Sequence, residues 1–251
     1  MATSIAKWFP GASLVAALGA SVGMAADLPD WSGTWEAQYR ATNTGYVKTP
    51  VLSKAGWAQV NEVRRKRDAG ELPESGEGIN CVPIGMPDIM PSPLFQFEFY
   101  FTPDKIVTYL EAYGMVRWIH TDGREIPADA IPAFMGYSTG HWEVDTLVVE
   151  TAAVYEGTRM TIPVPDSDER VEVRHGPDMH LTERVRLLDG DTLEIRTTIT
   201  DPALFAEPAQ TRHLYARHRG QEWEVSEYVC AQNNRTYLDE EGKQHFILKT
   251  D

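Results

Sequence analysis

The sequence has few cysteines, few helix-forming stretches and no long apolar segment that could remain in a membrane. Its two cysteines form no Cys-x-x-Cys pair, and neither a His-Glu-x-x-His element nor another Cys/His ligand spacing occurs. A structural zinc and a thiol-redox role therefore have no support. No serine lies in a Gly-x-Ser-x-Gly elbow and no glycine-rich phosphate loop is present, which excludes the usual serine-hydrolase and nucleotide-binding motifs. We expect neither a metal nor a cofactor.

Basic residues are also scarce. The 251 residues include 23 Lys and Arg against 37 Asp and Glu, a formal net charge of −14. A chain of this charge repels nucleic acid and anionic lipid at long range, so neither is an expected partner. The hydrophobic fraction of 42% is typical of a soluble globular domain and not of a disordered chain.

The first 26 residues are typical of a secretory signal peptide. One positive charge, Lys7, precedes a short Gly- and Ala-rich run that ends in Ala25 and Ala26. We expect cleavage after one of these alanines, no stable membrane insertion afterwards, and a periplasmic or secreted mature protein; a retained anchor is the alternative. In an oxidising compartment, Cys81 and Cys230 are expected to form a disulfide, with two buried free thiols as the alternative.

Local patterns predict one domain, residues 27–251, that is all-β with one N-terminal helix and long loops. The only convincing helix covers residues 52–67, with Ser53 as its N-cap. From residue 94 onward, short strands alternate with Gly, Asp and Pro turns, which indicates an antiparallel barrel or sandwich. The predicted strands are 31–39, 94–101, 105–113, 115–120, 137–143, 146–154, 180–188, 192–200, 211–219 and 222–229. Residues 155–178 are the least regular stretch.

A series of short motifs runs along the mature chain. The longest is GHWEVDTLVVET at 140–151, and the others are WSGTW at 31–35, CVPIGMP at 81–87, IHTDGR at 119–124, MHLTER at 179–184, DPALF at 201–205 and EYVCAQNN at 227–234. In this order they resemble the motifs of a large family of bacterial secreted proteins with a GHWEGDTLVVDT-type signature. The resemblance implies a lipocalin-like β-barrel around an apolar ligand and no particular reaction. Two residues depart from the pattern: Val144 replaces a turn glycine, and His120 replaces a tyrosine.

Polar residues that share a strand face with apolar residues are the candidate site residues. In a barrel, alternate side chains along each strand face the interior, and a buried charge there needs a partner or a function. The candidates are Glu183 beside Leu181 and Val185, Glu111 beside Tyr109 and Tyr113, and His120 beside Trp118. Carboxyl and imidazole groups that meet in an apolar cavity are typical proton-transfer groups.

These residues predict a cofactor-free enzyme of the isomerase, cyclase or lyase/hydratase type that acts on a small apolar or aromatic molecule. Glu183 would be the base and His120 the acid, with Glu111 as a further catalytic carboxylate. The expected substrate-binding residues are Tyr109, Tyr113, Trp118, His141 and His180. The remaining histidines show no metal-ligand spacing.

Two other functions remain open at this point. If the glutamates pair with arginines such as Arg117, Arg196 or Arg212, the same barrel would be a non-catalytic carrier or scavenger of hydrophobic molecules. A packed barrel without a cavity would instead indicate an interaction protein of the cell envelope. The sequence does not determine the oligomeric state.

Overall fold

The computed structural model describes residues 28–41, 44–71, 81–92, 95–229, 235–238 and 244–247. Within these ranges the chain forms strands and one α-helix, α1, at Lys54–Asp68. The strands are β1 Thr34–Ala37, β2 Gly45–Tyr46, β3 Gln96–Phe101, β4 Lys105–Leu110, β5 Met115–His120, β6 Tyr137–Glu143, β7 Thr146–Ala152, β8 Arg159–Pro163, β9 Arg170–Arg174, β10 His180–Leu187, β11 Thr192–Thr200, β12 Ala209–His218, β13 Arg235–Leu238 and β14 Gln244–Ile247. The predicted signal peptide and Cys230 lie outside the described residues.

Nine strands form a closed barrel in the order β1-β3-β4-β5-β6-β7-β10-β11-β12, and β12 pairs back onto β1. The short strand β2 adds to the first half of β12. The neighbouring pairs are antiparallel except β5 and β6, which run parallel after the excursion at residues 121–136. The predicted all-β barrel with one helix is confirmed, and the parallel pair is the departure from a purely antiparallel order.

Helix α1 begins where the sequence predicts. The Ser53 hydroxyl accepts a hydrogen bond from the Gly56 N–H at 2.9 Å and donates to the Ala203 carbonyl at 2.8 Å. These bonds cap the helix and fix its first turn to the β11–β12 connection. Val60 is fully buried, and Trp57 packs against the same core. No helix in the described part of the chain is long and apolar enough to span a membrane.

Two local predictions are wrong. The hairpin β8–β9 lies inside the stretch that was expected to be irregular, and residues 222–229 form no strand. A short 3-10 turn occupies Gln221–Trp223, and the Trp223 ring stacks on His218 with centroids 3.7 Å apart. Trp223, which the alternating pattern of residues 222–229 had placed in a strand, is therefore held by ring stacking on His218 and not by strand pairing.

An aromatic cluster fills one part of the barrel interior. Trp31 and Phe99 have ring centroids 4.8 Å apart, and Trp35 is completely buried beneath the Arg217 guanidinium, which lies 4.6 Å from the indole centroid. Arg217 joins the end of β12 to β1 at this point. Gly33 permits the approach, because it has a left-handed φ of +95° and a Cβ there would lie 2.6 Å from the His218 carbonyl oxygen.

Candidate functional site

A cavity of about 850 Å³ lies against the inner face of β10, β11 and β12. The barrel residues that line it are Glu183, Ile195, Thr197, Thr211, His213 and Tyr215. Its opposite wall, here named the cover, consists of residues 84–92 and the hairpin β8–β9. The cover residues that line it are Ile84, Pro87, Asp88, Met90, Pro91, Ser92, Arg159, Thr161, Arg170 and Glu172. The wall therefore combines apolar surface with a limited set of polar groups, as ligand-binding cavities do.

Helix α1 holds the hairpin of the cover in place. The Gln59 amide donates to the Arg174 carbonyl at 3.0 Å and accepts from the Arg174 N–H at 2.9 Å, so it pairs with β9 as a neighbouring strand would. Arg64 and Arg67 both form ion pairs with Glu169 in the hairpin loop, at 2.7 and 2.6 Å. Side chains from about two and a half turns of the helix thus attach the hairpin part of the cover.

Glu183 lies at the inner end of the cavity and is paired with arginine. Its side chain is 1% exposed, and both carboxylate oxygens accept hydrogen bonds from Arg117 on the other side of the barrel. Arg117 also donates to Ser138 at 3.2 Å and Thr151 at 2.8 Å. The pair crosses the interior and leaves no net charge there, which is the arrangement a buried ion pair requires.

Three hydroxyl groups of the cavity lining are buried without a hydrogen-bond partner among the described residues: those of Thr44, Tyr46 and Tyr215. Burial raises the pKa of Tyr215, and the Glu183 charge raises it further. Burial, together with the Asp88 charge, also raises the pKa of Tyr46. Both phenols are therefore neutral and able to donate a hydrogen bond.

Two titratable groups face the cavity from opposite walls. Burial raises the pKa of Asp88 in the cover from 3.8 to about 6, although its carboxylate accepts the Thr161 N–H at 2.6 Å and Arg170 lies nearby. Burial lowers the pKa of His213 on β12 from 6.5 to about 4, and the Arg170 charge acts in the same direction. At neutral pH the imidazole is therefore uncharged.

The predicted inner face of β5 is reversed in the structure. Arg117 and Ile119 point inward, whereas Trp118 is 52% exposed and has the Lys105 ammonium 5.3 Å from its ring centroid. His120 lies on the same outer face, stacked on Tyr137 with centroids 5.1 Å apart. Neither Trp118 nor His120 lines this cavity. Side chains alternate along a strand, and on β5 the inward positions are held by Arg117, which pairs with Glu183, and by Ile119.

The structure also reverses β4. Ile106, Thr108 and Leu110 are its buried residues, so Tyr109 lies on the outer face. Glu111 follows the end of the strand, and its carboxylate accepts the Gln96 N–H at 3.3 Å; it does not line the cavity. Tyr113 does line the cavity, because the 3-10 turn after β4, with a Tyr113 φ of +58°, redirects the chain.

The two remaining predicted residues, His141 and His180, lie on the outer face of the barrel wall. His141 on β6 is exposed, with its Nε2 3.5 Å from Glu143. His180 at the start of β10 is partly exposed, with its Nε2 3.4 Å from Glu150. Both residues alternate with inward neighbours of their strands, and neither lines the cavity. Of the eight predicted site residues, the cavity brings together Glu183 and Tyr113.

Sequence reasoning missed the residues that supply most of the polar chemistry of the cavity. They are Tyr46, Asp88, His213 and Tyr215, whereas Arg117 was already named as a possible ion-pair partner of the glutamates. His213 and Tyr215 alternate with outward residues along β12, but polar and apolar residues occur on both faces of this strand, so the sequence carries no clear period-2 signal there. Asp88 lies in a proline-rich segment without periodicity, so no sequence pattern places it in a cavity.

No group of His, Cys, Asp and Glu side chains within the described ranges is arranged to hold a metal ion. Comparisons of the chain with protein-family profiles, with curated proteins and with solved structures found no match. The family resemblance of the motifs therefore stays a prediction, and the functional argument depends on the cavity itself.

Proposed function

We propose that this barrel is a non-catalytic carrier or scavenger that holds a small molecule with an apolar body in its cavity. The observation that carries the proposal is the Arg117–Glu183 pair, because both oxygens of the predicted catalytic carboxylate already accept hydrogen bonds from a guanidinium. The proposed acid, His120, lies on the other face of the barrel wall. The predicted proton-transfer pair therefore does not meet across the cavity, which supports the binding function over the enzymatic one.

The cavity wall supports a ligand with an apolar body. Ile84, Met90 and Ile195 supply aliphatic surface, and the lining tyrosines supply ring faces. Burying such surface stabilises a complex by roughly 25 cal/mol per Å² before the costs of association. The cover, attached by α1, would then shield the ligand from water.

The proposal is tested with N-phenyl-1-naphthylamine, a neutral dye that fluoresces in apolar surroundings. We expect saturable binding with one dye per chain. A matched pair of isoleucine substitutions locates the site: Ile84→Trp fills the cavity and should weaken binding at least tenfold, whereas Ile131, 86% exposed and outside the lining, tolerates the same change. Equal binding by both variants would place the dye elsewhere and remove the proposal.

A second function is favoured by one observation. Asp88 lines the cavity, and its pKa of about 6 lies in the working range of a general base. In this alternative the protein is a cofactor-free isomerase or lyase, as the sequence predicts, but Asp88 and not Glu183 is the base that takes the proton from the substrate.

The two functions are separated by untargeted mass spectrometry of a host small-molecule extract incubated with the mature protein. Wild type is compared with Asp88→Asn, Glu183→Gln and His120→Ala. A compound retained in stoichiometric amount and chemically unchanged supports the carrier. A compound that wild type consumes with time and Asp88→Asn does not would establish the enzyme.

A further inference from the structure

The inner end of the cavity differs in chemistry from its walls. Glu183 reaches the cavity while Arg117 occupies one lone pair on each of its oxygens. An ionised carboxylate accepts about four hydrogen bonds in all, so acceptor capacity remains on the cavity side. Glu183 therefore offers a buried charged acceptor with unused capacity, and an additional hydrogen bond to such a group is strong.

Tyr215, which also lines the cavity, supplies the second polar group. The residue is fully buried, its hydroxyl has no partner among the described residues, and the Glu183 charge acts on it. Buried polar groups in native proteins are nearly always hydrogen-bonded, so an unpartnered one beside a cavity indicates a missing ligand or water. A phenol can both donate and accept.

Charge decides which ligand group fits here. Arg117 uses four of its donor contacts on Glu183, Ser138 and Thr151, so its charge is already matched. A ligand carboxylate would place a second negative charge beside Glu183, and burying an unmatched charge is costly. A neutral hydroxyl avoids this cost, because it can donate to Glu183 and accept from Tyr215.

We infer that the ligand is a neutral alcohol or phenol whose hydroxyl group binds between Glu183 and Tyr215 at the inner end of the cavity. This inference rests on the proposed binding function and names the chemical class of its ligand. The charge of Glu183 disfavours a carboxylate, such as that of a fatty acid, at this position.

The test compares three probes that share one ring system: 2-naphthol, 2-methylnaphthalene and 2-naphthoate, measured by calorimetry or by quenching of protein fluorescence. We expect 2-naphthol to bind at least tenfold more tightly than 2-methylnaphthalene, because one hydrogen bond to a charged buried group accounts for that factor. The naphthoate should bind most weakly.

Tyr215→Phe is the decisive variant, since it removes one oxygen without leaving a buried group unpaired. It should reduce the preference for 2-naphthol over 2-methylnaphthalene several-fold and leave 2-methylnaphthalene binding unchanged. Tyr100→Phe on the outer face of β3 is the matched control and should retain the full preference.

The outcomes distinguish a failure of the hydroxyl-binding inference from a failure of the proposed carrier function. Equal binding of the naphthol and the hydrocarbon, tightest binding of the naphthoate, or a preference that Tyr215→Phe leaves intact would each overturn the inference while the carrier function stands. Failure of all three probes to bind up to their solubility limits would remove both.

Discussion

The Arg117 guanidinium and the Glu183 carboxylate face each other across the inside of the barrel, with Arg117 Nη1 3.2 Å from Glu183 Oε1 and Nη2 bonded to the second oxygen. β5 and β10 do not neighbour each other in the barrel, since β6 and β7 lie between them. The pair therefore ties together opposite parts of the wall and forms the inner end of the cavity. Ser138 and Thr151, which also accept hydrogen bonds from Arg117, lie on the two intervening strands, β6 and β7.

A double-mutant cycle should show that this pair is strongly coupled. Arg117→Met or Glu183→Leu alone leaves an unmatched buried charge, and each should lower the free energy of unfolding by about 3–5 kcal/mol. The double variant removes both charges and should cost clearly less than the sum of the two. Urea unfolding at pH 7 measures all four proteins. Additive losses would show that the two side chains do not stabilise each other.

The close approach of β1 to β12 predicts a large effect of a single methyl group. Gly33→Ala forces a left-handed φ on alanine and places its Cβ 2.6 Å from the His218 carbonyl, so we expect a loss of about 2 kcal/mol or more. Gly190→Ala is the matched control, because a Cβ there meets nothing within 4 Å. If thermal unfolding gives the same midpoint for both variants, the packing of Arg217 over Trp35 does not depend on this contact.

Asp88 and His213 should give opposite dependences of stability on pH. The folded pKa of His213 is lowered, so its contribution to stability is present above pH 6.5 and is lost as the pH falls toward 4. The folded pKa of Asp88 is raised, so its contribution is present below pH 3.8 and is lost as the pH rises through 6. Each shift corresponds to about 3 kcal/mol at most, and in wild type the two slopes oppose each other.

Single variants reveal the two slopes separately. Relative to wild type, His213→Gln should become less stable as the pH rises from 4 to 6, because Asp88 then acts alone. Asp88→Asn should become more stable over the same range, because His213 then acts alone. Urea midpoints at half-unit pH intervals measure this. Parallel profiles for wild type and both variants would contradict the burial of these groups.

The positions of most barrel strands were predictable because turn residues separate them, but the strand order and the faces of some strands were not. On β10, charged Arg184 and Arg186 alternate with apolar residues, so the position of Glu183 follows from the sequence alone. On β5, Val116 and Trp118 are apolar although they point outward, because an outer surface tolerates apolar side chains. Arg117 points inward there, and its pairing with Glu183, 66 residues away, was one of the alternatives that the sequence left open because no local pattern selects the partner.

The hairpin β8–β9 shows the opposite kind of failure. Its buried residues, Met160, Ile162, Val171 and Val173, alternate with polar ones at period two, so the signal was present within residues 155–178. The surrounding prolines and acidic residues concealed it. What the sequence could not predict is that this hairpin leaves the barrel order and covers the cavity, because that position depends on Gln59 and on the ion pairs from α1.

A disulfide between Cys81 and Cys230 stays a prediction, and it has a consequence for the cavity because Cys81 lies three residues before the cover. A bridge across so long a loop should stabilise the fold by about 4 kcal/mol, and reduction should lower the unfolding midpoint and weaken N-phenyl-1-naphthylamine binding together. Peptide mapping without reductant should find the two cysteines in one linked species. Cys81→Ser and Cys230→Ser should each match the reduced wild type, and the double variant should cost no more than either. If both cysteines are alkylated in the unreduced protein, the cover is held without a disulfide.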